Sequence, residues 1–224
     1  TIEELRNKIL LTLGFMAIYR FAAQVPLPGI DITVAQAALA NQTSGGGILG
    51  LLDMFTGGAF AQASIVALGI MPYISASIVV QLMGIAVPYL QKLQKDGESG
   101  RKKINQITRW LTIAITLVQG PGYIFNLKQT LPAEAFVNPD FFTFFPLFGS
   151  VLIIVSGTIF AMWLGERITE KGIGNGISLL IMVGILARMP EAFMQEFATA
   201  INNGGPMKII IEVIIWLLVI IATI

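Results

Sequence analysis

Apolar residues dominate long stretches of this chain, and the longest stretch without a charge runs from Met54 to Gln91, over 38 residues. A helix crosses the hydrocarbon layer in about 20 residues, so this stretch is too long for one plain span. Glycine and proline interrupt it at Gly57, Gly58, Gly69, Pro72, Gly84 and Pro88. We interpret it as a short half-inserted piece followed by a full span. Broken segments occur inside membranes only where protein or water covers the freed backbone groups, which favours a channel or a transporter.

The hydrophobic pattern predicts six membrane spans. They are expected at about Ile9–Val25, Ser64–Leu82, Trp110–Leu127, Phe141–Leu164, Ile173–Ala187 and from Met207 onward. No charged flank follows Glu212, so the sixth span is expected to be cut off, within a longer polypeptide. Residues 1–206 would then hold five spans and residues 207–224 the start of the sixth. A signal peptide is the alternative for the first span, but Arg20 argues against it, because such a core should be neutral. An arginine near a span end can instead extend to the interface.

Composition indicates an all-α polytopic membrane protein. Hydrophobic residues make up 55% of the chain and charged residues 12%, with a mean hydropathy of +0.78, whereas soluble domains carry roughly 25% charged residues. Cysteine and histidine are absent, which removes disulfides, thiolate chemistry and the commonest metal ligand. We therefore expect no metal site and no cofactor, and the net charge of +1 gives no indication of nucleic-acid binding.

Lysine and arginine counts predict the orientation, because cytoplasmic loops carry the excess. Ten of the 14 fall in the N-terminal tail, the loop 91–109 and the loop after the fourth span. We therefore expect the N-terminus and the loop 91–109 to be cytoplasmic and the segment 26–60 to face outward. The basic loop satisfies the charge rule, and its length and glycines would also suit docking of a cytosolic partner.

The outward segment 26–60 contains an apolar piece, ILGLLDMF, between Gly45-Gly46-Gly47 and Gly57-Gly58. The piece is too short to span and suits a re-entrant or interfacial helix with a hinge at each end. The alternative is an ordinary helix on the outer surface.

Three predicted spans carry a stripe at helical spacing that could line a pore. The stripes are Ile70, Ile74, Ser77 and Gln81; Thr108, Thr112, Thr116 and Gln119; and Gly174, Ile177, Ile181 and Gly184. Polar stripes in membrane helices usually face protein or water. The alternatives are threonine hydroxyls bonded to their own helix, close packing of small residues, and isoleucines buried in a core. The glycine-rich fifth span suits lipid poorly, so we expect it to lie against a cavity.

Several blocks closely resemble the bacterial SecY family of protein-conducting channels. They are ALGIMPYISASIVVQL (67–82), KDGESGRKK (95–103) and MWLGERITEKGIGNGIS (162–178), with PLPGID (26–31) and LDMFTGGAFAQASI (52–65) fitting as well. The resemblance implies half of a ten-helix channel built as an inverted repeat, with a re-entrant plug helix. The C-terminal half of the channel would complete the pore.

The resemblance also implies roles for particular residues. Pore-ring positions would be Ile70, Ile74, Ile177 and Ile181. The plug would cover about Ile48–Gln62, including Ile48, Leu49, Leu51, Leu52, Asp53, Met54, Phe55, Thr56, Gly57 and Gly58. Polar groups near the lateral gate would be Ser77, Gln81, Thr112, Thr116, Gln119 and Asn175. Cytoplasmic docking residues would be Lys92, Lys95, Arg101, Lys102 and Lys103.

The implied function is passage of unfolded polypeptides across the bacterial inner membrane and release of apolar segments sideways into the lipid bilayer. A ring of branched apolar side chains can seal against ions and still yield to a moving chain. Expected partners are SecE, SecG, SecA or a ribosome, and the signal sequence of a preprotein, with no direct nucleic-acid contact. The channel would catalyse no bond chemistry.

Two other classes compete with the channel. A secondary transporter also uses broken helices, but it usually places ionisable groups within its spans, and the cores of the second to fifth spans contain none. An intramembrane enzyme would need a nucleophile and a base, and Asp53 alone forms no catalytic dyad.

Overall fold

The computed structural model describes residues 2–43, 53–137, 141–199 and 205–223. Within these ranges the chain forms eight α-helices and a short 3-10 helix at Ala133–Ala135. The helices are α1 (Ile2–Ala23), α2 (Ile32–Thr43), α3 (Met71–Ala86), α4 (Pro88–Lys95), α5 (Gly97–Thr130), α6 (Phe144–Lys171), α7 (Gly176–Thr199) and α8 (Gly205–Thr223). The chain divides into two compact units, Thr1–Ile185 and Leu186–Ile224.

Two of the described helices are long and apolar enough to cross a membrane, α6 and the Gly176–Met194 part of α7. The pair α3 and α4 adds a third if it counts as one broken span, since its two helices meet at a bend of 102°. At the first and third predicted spans, α1 and α5 mix apolar with polar and charged residues. Thus α5 is 34 residues long and begins with the charged sequence GESGRKK. The hydropathy pattern marks only the apolar part of each helix, which is why the helices differ from the predicted spans at their ends.

The second predicted span is wrong at its start. We expected a helix from Ser64, but Ser64 forms an isolated β-bridge with Pro26, residues 65–70 form turns and α3 begins at Met71. Left-handed backbone at Ala63 (φ 47°) and Gly69 (φ 53°) prevents a continuous helix there. Pro72 then lies in the first turn of α3, where its missing N–H costs no hydrogen bond.

The basic segment 91–109 is helical rather than the loop that the sequence suggested. It is a helical hairpin in which α4 and α5 are separated by Asp96 alone. Gly97 makes the turn with φ 67°. Gly100 is buried against the Leu93 carbonyl, and a Cβ there would collide with that oxygen. Both glycines therefore serve a tight turn.

The first unit contains two apolar clusters. One joins Leu27 and Phe60 to Tyr123 and Leu127 of α5 and to Ile154 of α6. The other joins Tyr19 of α1, Ile70, and α6 and α7 residues such as Leu164, Ile168 and Leu180. The segment 57–70 contributes to both clusters, so it is held between α1, α5, α6 and α7.

The start of α2 is fixed by Asp31, which accepts hydrogen bonds from the backbone N–H of Thr33 (2.9 Å) and from its hydroxyl (2.7 Å). The hydroxyl bond, followed by the backbone bond, holds the pKa of Asp31 below its ordinary value. In the second unit, the rings of Phe193 and Trp216 meet edge to face with centroids 6.5 Å apart.

Candidate functional site

Three of the four predicted ring isoleucines lie at one apolar cluster of the first unit. Ile70 is a buried member, and Ile74 and Ile177 pack against it. Ile70 is only 4% exposed, whereas Ile74, Ile177 and Ile181 are half-buried. Tertiary structure therefore brings the predicted second and fifth spans together at Ile70, Ile74 and Ile177. The exposed surface at this cluster belongs to Ile74 and Ile177 rather than to Ile70.

Close contact between α6 and α7 positions Ile177. A Cβ on Gly165 would lie 2.8 Å from Cγ1 of Ile177, and a Cβ on Gly176 would collide with the Gly165 carbonyl. The α7 helix is capped at this point by Asn175, whose Oδ1 accepts hydrogen bonds from the N–H groups of Ile177 (3.1 Å) and Ser178 (3.3 Å). Asn175 therefore has a structural role as a helix N-cap.

The described part of the predicted plug covers residues 53–58; Ile48, Leu49, Leu51 and Leu52 lie outside the described residues. Residues 53–55 are helical. Asp53 is fully buried, and its Oδ1 accepts a hydrogen bond from the Ala61 N–H at 2.7 Å. Thr56 is also buried, and its hydroxyl accepts a bond from the Phe60 N–H at 3.2 Å. These bonds make a compact turn out of residues 53–61.

Gly57 lies at the point where this turn meets α1 and α7. Its φ is 66°, and that of Gly58 is 90°. A Cβ on Gly57 would lie 2.7 Å from the Gly184 Cα of α7 and 2.8 Å from Nη1 of Arg20. The same Nη1 donates a hydrogen bond to the Gly57 carbonyl at 2.7 Å. Gly184, which ends the predicted stripe of the fifth span, thus faces the plug segment.

The chain beyond these two glycines is firmly attached to neighbouring elements. The Leu27 N–H donates to the Ala63 carbonyl (2.8 Å), and the Ile65 N–H donates to the Val25 carbonyl (2.9 Å). The Tyr123 hydroxyl donates to the Phe60 carbonyl at 2.9 Å, and the two rings meet edge to face. Residues 59–65 are therefore anchored to α5 and to the chain that follows α1.

The threonine stripe of the third predicted span is buried. Thr108, Thr112 and Thr116 are 4%, 0% and 0% exposed. Each hydroxyl donates to the carbonyl four residues earlier, at 3.0, 2.7 and 2.7 Å. The observed geometry is therefore the alternative in which the hydroxyls bond to their own helix.

The remaining polar positions of the predicted gate are more accessible. Gln81 is exposed and donates from Nε2 to the Ser77 hydroxyl at 3.2 Å. Gln119 is exposed and lines a cavity of about 390 Å³ with Thr56, Met71, Ser75 and Asn126. This cavity connects the plug segment with α3 and α5.

The predicted docking residues are all exposed, and they lie on both helices of the α4–α5 hairpin. Lys102 pairs with Glu98 at 3.2 Å. Deeper along α5, Arg109 forms a two-point ion pair with Glu166 of α6, with Nε–Oε1 at 2.9 Å. This pair ties α5 to α6 beside the hairpin.

Sequence reasoning missed the role of Arg20. It suggested that this side chain extends to the interface, whereas the guanidinium binds a backbone carbonyl of the plug segment. The available signal was an arginine within an apolar helix, which needs a nearby acceptor. Among the described residues, no group of three or more acidic side chains is arranged to hold a metal ion.

Comparison with known proteins identifies the family. The SecY family model matches residues 64–224. Protein translocase subunit SecY of Buchnera aphidicola subsp. Schizaphis graminum is 41% identical over 218 residues, which cover 97% of this chain and 48% of that protein. The chain thus spans about half the length of the curated relatives it matches.

Solved structures agree in fold. A chain from "The structure of a protein conducting channel" superposes with a TM-score of 0.65 at 21% identity, covering 97% of this chain and 47% of that one. Sec61 in the canine ribosome-channel complex from the endoplasmic reticulum gives a TM-score of 0.61 at 20% identity, with the same coverage. On the strength of the family match and the sequence identity, this chain belongs to the SecY family.

Proposed function

We propose that the complete protein is the pore subunit of a protein-conducting channel in the bacterial inner membrane. It would pass unfolded polypeptides and release apolar segments sideways into lipid. The family consists of translocation channels and not of enzymes. The observation that carries the proposal is the convergence of Ile70, Ile74 and Ile177 at one apolar cluster, next to a segment clamped between α1 and α7.

The half-buried isoleucines suit a pore ring that a second half completes. Branched apolar side chains exclude water and ions from a narrow passage. Because Ile74, Ile177 and Ile181 keep part of their surface free, they would form the constriction. Ile70 is almost fully packed within this unit, so it would support the ring from behind.

The plug would move about Gly57 and Gly58. Both glycines have left-handed backbone, which they can leave at little cost. Residues 59–65 are anchored by Tyr123 and by the chain after α1, so we place the end of the moving part at Gly58 rather than at Gln62. Residues 48–58 would then be displaced as a polypeptide enters, and the bonds that Asp53 and Thr56 accept from the Ala61 and Phe60 N–H groups would have to break.

The remaining assignments follow from the same architecture. The six predicted helices would serve as spans, with α3 and α5 contributing to the lateral gate through Ser77, Gln81, Thr112, Thr116 and Gln119. The N-terminus and the basic α4–α5 hairpin would be cytoplasmic, with the exposed Lys92, Lys95, Arg101, Lys102 and Lys103 available to SecA or a ribosome. SecE and SecG would complete the membrane complex, and a preprotein signal sequence would open the gate.

The test is resting ion conductance of the full-length complex in planar bilayers. The double variant Ile74→Asn/Ile177→Asn should raise conductance severalfold, because two amides would hydrate the constriction. Val79→Asn is the matched control, since Val79 is already 40% exposed on the same helix. Conductance equal to wild type in the double variant would contradict the ring assignment.

A further inference from the structure

Arg20 carries the only charge between Lys8 and Asp31, and it lies within the 22-residue helix α1. Its side chain is half-buried. A guanidinium in such a place is costly unless its donors are bound. The acceptor is the Gly57 carbonyl, 2.7 Å from Nη1 and 37 residues away along the chain. The bond therefore joins α1 to the plug segment.

The bond from Arg20 reaches Gly57, just before the part of the chain that is anchored to neighbouring elements. After Gly58, backbone and hydroxyl bonds hold the chain, including the bond from the Ser64 hydroxyl to the Ala22 carbonyl at 3.2 Å. Gly57 itself has a backbone that can rotate freely once released. The Arg20 bond thus lies at the boundary between the anchored chain and the part that would move, next to the bonds that Asp53 and Thr56 accept from the N–H groups of Ala61 and Phe60.

We propose that Arg20 is a positioning residue that latches the plug in its closed conformation by holding the Gly57 carbonyl. This inference rests on the proposed channel function. Charge-assisted hydrogen bonds are stronger than neutral ones, and here the donor fixes the orientation of one flexible peptide. Opening the plug would require the guanidinium to release that carbonyl, so the strength of this one bond would bias the closed-to-open equilibrium.

The contact of Gly57 with Gly184 supports the same arrangement. The plug segment can approach Arg20 only because α7 presents a glycine there, with a Gly57 Cβ position 2.7 Å from the Gly184 Cα. The close approach brings the Gly57 carbonyl within reach of α1. The close packing of Gly57 on Gly184 therefore positions the plug segment, and the Arg20 guanidinium holds it there through its hydrogen bond.

The experiment uses the full-length complex with Arg20→Gln, Arg20→Lys and, as the matched control, Arg6→Gln. Arg6 is exposed on the same helix, so its replacement changes the same charge away from the plug. Two quantities are measured: resting ion conductance, and labelling of an added Met54→Cys substitution by a membrane-impermeant thiol reagent. Met54 is 47% exposed, residues 1–224 contain no cysteine, and any cysteine elsewhere in the complex is first replaced by serine.

Arg20→Gln should raise conductance and the labelling rate together, each by at least threefold, while the unfolding temperature of the complex changes little. Arg20→Lys should fall between, because an ammonium can still donate to the carbonyl. Arg6→Gln should match wild type. Arg20→Lys also keeps the test usable if Arg20→Gln fails to assemble.

A lower unfolding temperature with unchanged conductance and labelling would overturn the latch and leave Arg20 a purely structural role. The Ile74→Asn/Ile177→Asn variant separates the two proposals. If it raises conductance while the Arg20 variants do not, only the latch fails. If neither raises conductance, the ring assignment that carries the proposed function fails as well.

Discussion

Gly57 and Gly184 lie against each other, so closely that a Cβ on Gly57 would be 2.7 Å from the Gly184 Cα. The contact brings the end of the predicted plug onto α7. It depends on two features at once, the left-handed backbone of Gly57 (φ 66°) and the lack of side chains on both residues. These two features can be separated experimentally.

Gly57→Ala should destabilise the complex through both features. Left-handed backbone costs an L-residue about 1–2 kcal/mol, and the collision with Gly184 adds about 1–3 kcal/mol as overpacking. Gly97→Ala is the control, because Gly97 has φ 67° and nothing within 4 Å of its Cβ position. Thermal unfolding should show a distinctly larger loss of stability for Gly57→Ala than for Gly97→Ala. Equal losses would mean that the Gly57–Gly184 contact does not contribute to stability.

Tyr123→Phe should loosen the anchor behind the plug. The tyrosine ring is 4% exposed and its hydroxyl is bonded to the Phe60 carbonyl. Loss of a buried partner costs about 1–3 kcal/mol. Tyr89 is 60% exposed, so Tyr89→Phe should leave the unfolding temperature unchanged. A Tyr123→Phe complex as stable as wild type would show that the hydroxyl bond is dispensable.

The Arg109–Glu166 pair should stabilise the junction of α5 and α6. The Glu166 side chain is only 15% exposed, and the two-point geometry fixes both partners. A double-mutant cycle with Arg109→Gln and Glu166→Gln should give a coupling energy of about 1 kcal/mol. The more exposed pair Arg167–Glu170 should couple by about 0.3 kcal/mol. Equal coupling in the two pairs would contradict this ranking.

Thr112→Val tests whether the buried threonine stripe belongs to a hydrated gate. The hydroxyl is bonded to the Thr108 carbonyl within the same helix, so its removal should cost about 1 kcal/mol or less. Translocation by the full complex should stay within twofold of wild type. A larger loss of translocation at unchanged stability would favour direct participation of Thr112 in gating. Leu117→Val, on an exposed part of α5, controls for changes of the helix surface.

The sequence by itself determined the class of protein, the presence of helices near the predicted spans and the family. The class and the approximate helix positions follow from hydropathy, because apolar side chains are favoured in lipid and polar side chains in water. The long blocks around Ile70 and Ile177 were sufficient for the resemblance. The same pattern could not give the true start of α3 at Met71, since left-handed turns and hydrogen bonds to residues 25–27 compete with helix formation there.

Only the tertiary structure decided which groups of the site meet. The bond from Arg20 to Gly57 joins residues 37 positions apart, and Gly57 meets Gly184 across 127 positions. Such contacts depend on how helices pack, and they cannot be predicted from the spacing of residues within one segment. The burial of Ile70 beside the half-open Ile74 is likewise a property of packing, because the two isoleucines have the same hydropathy and differ only in their neighbours.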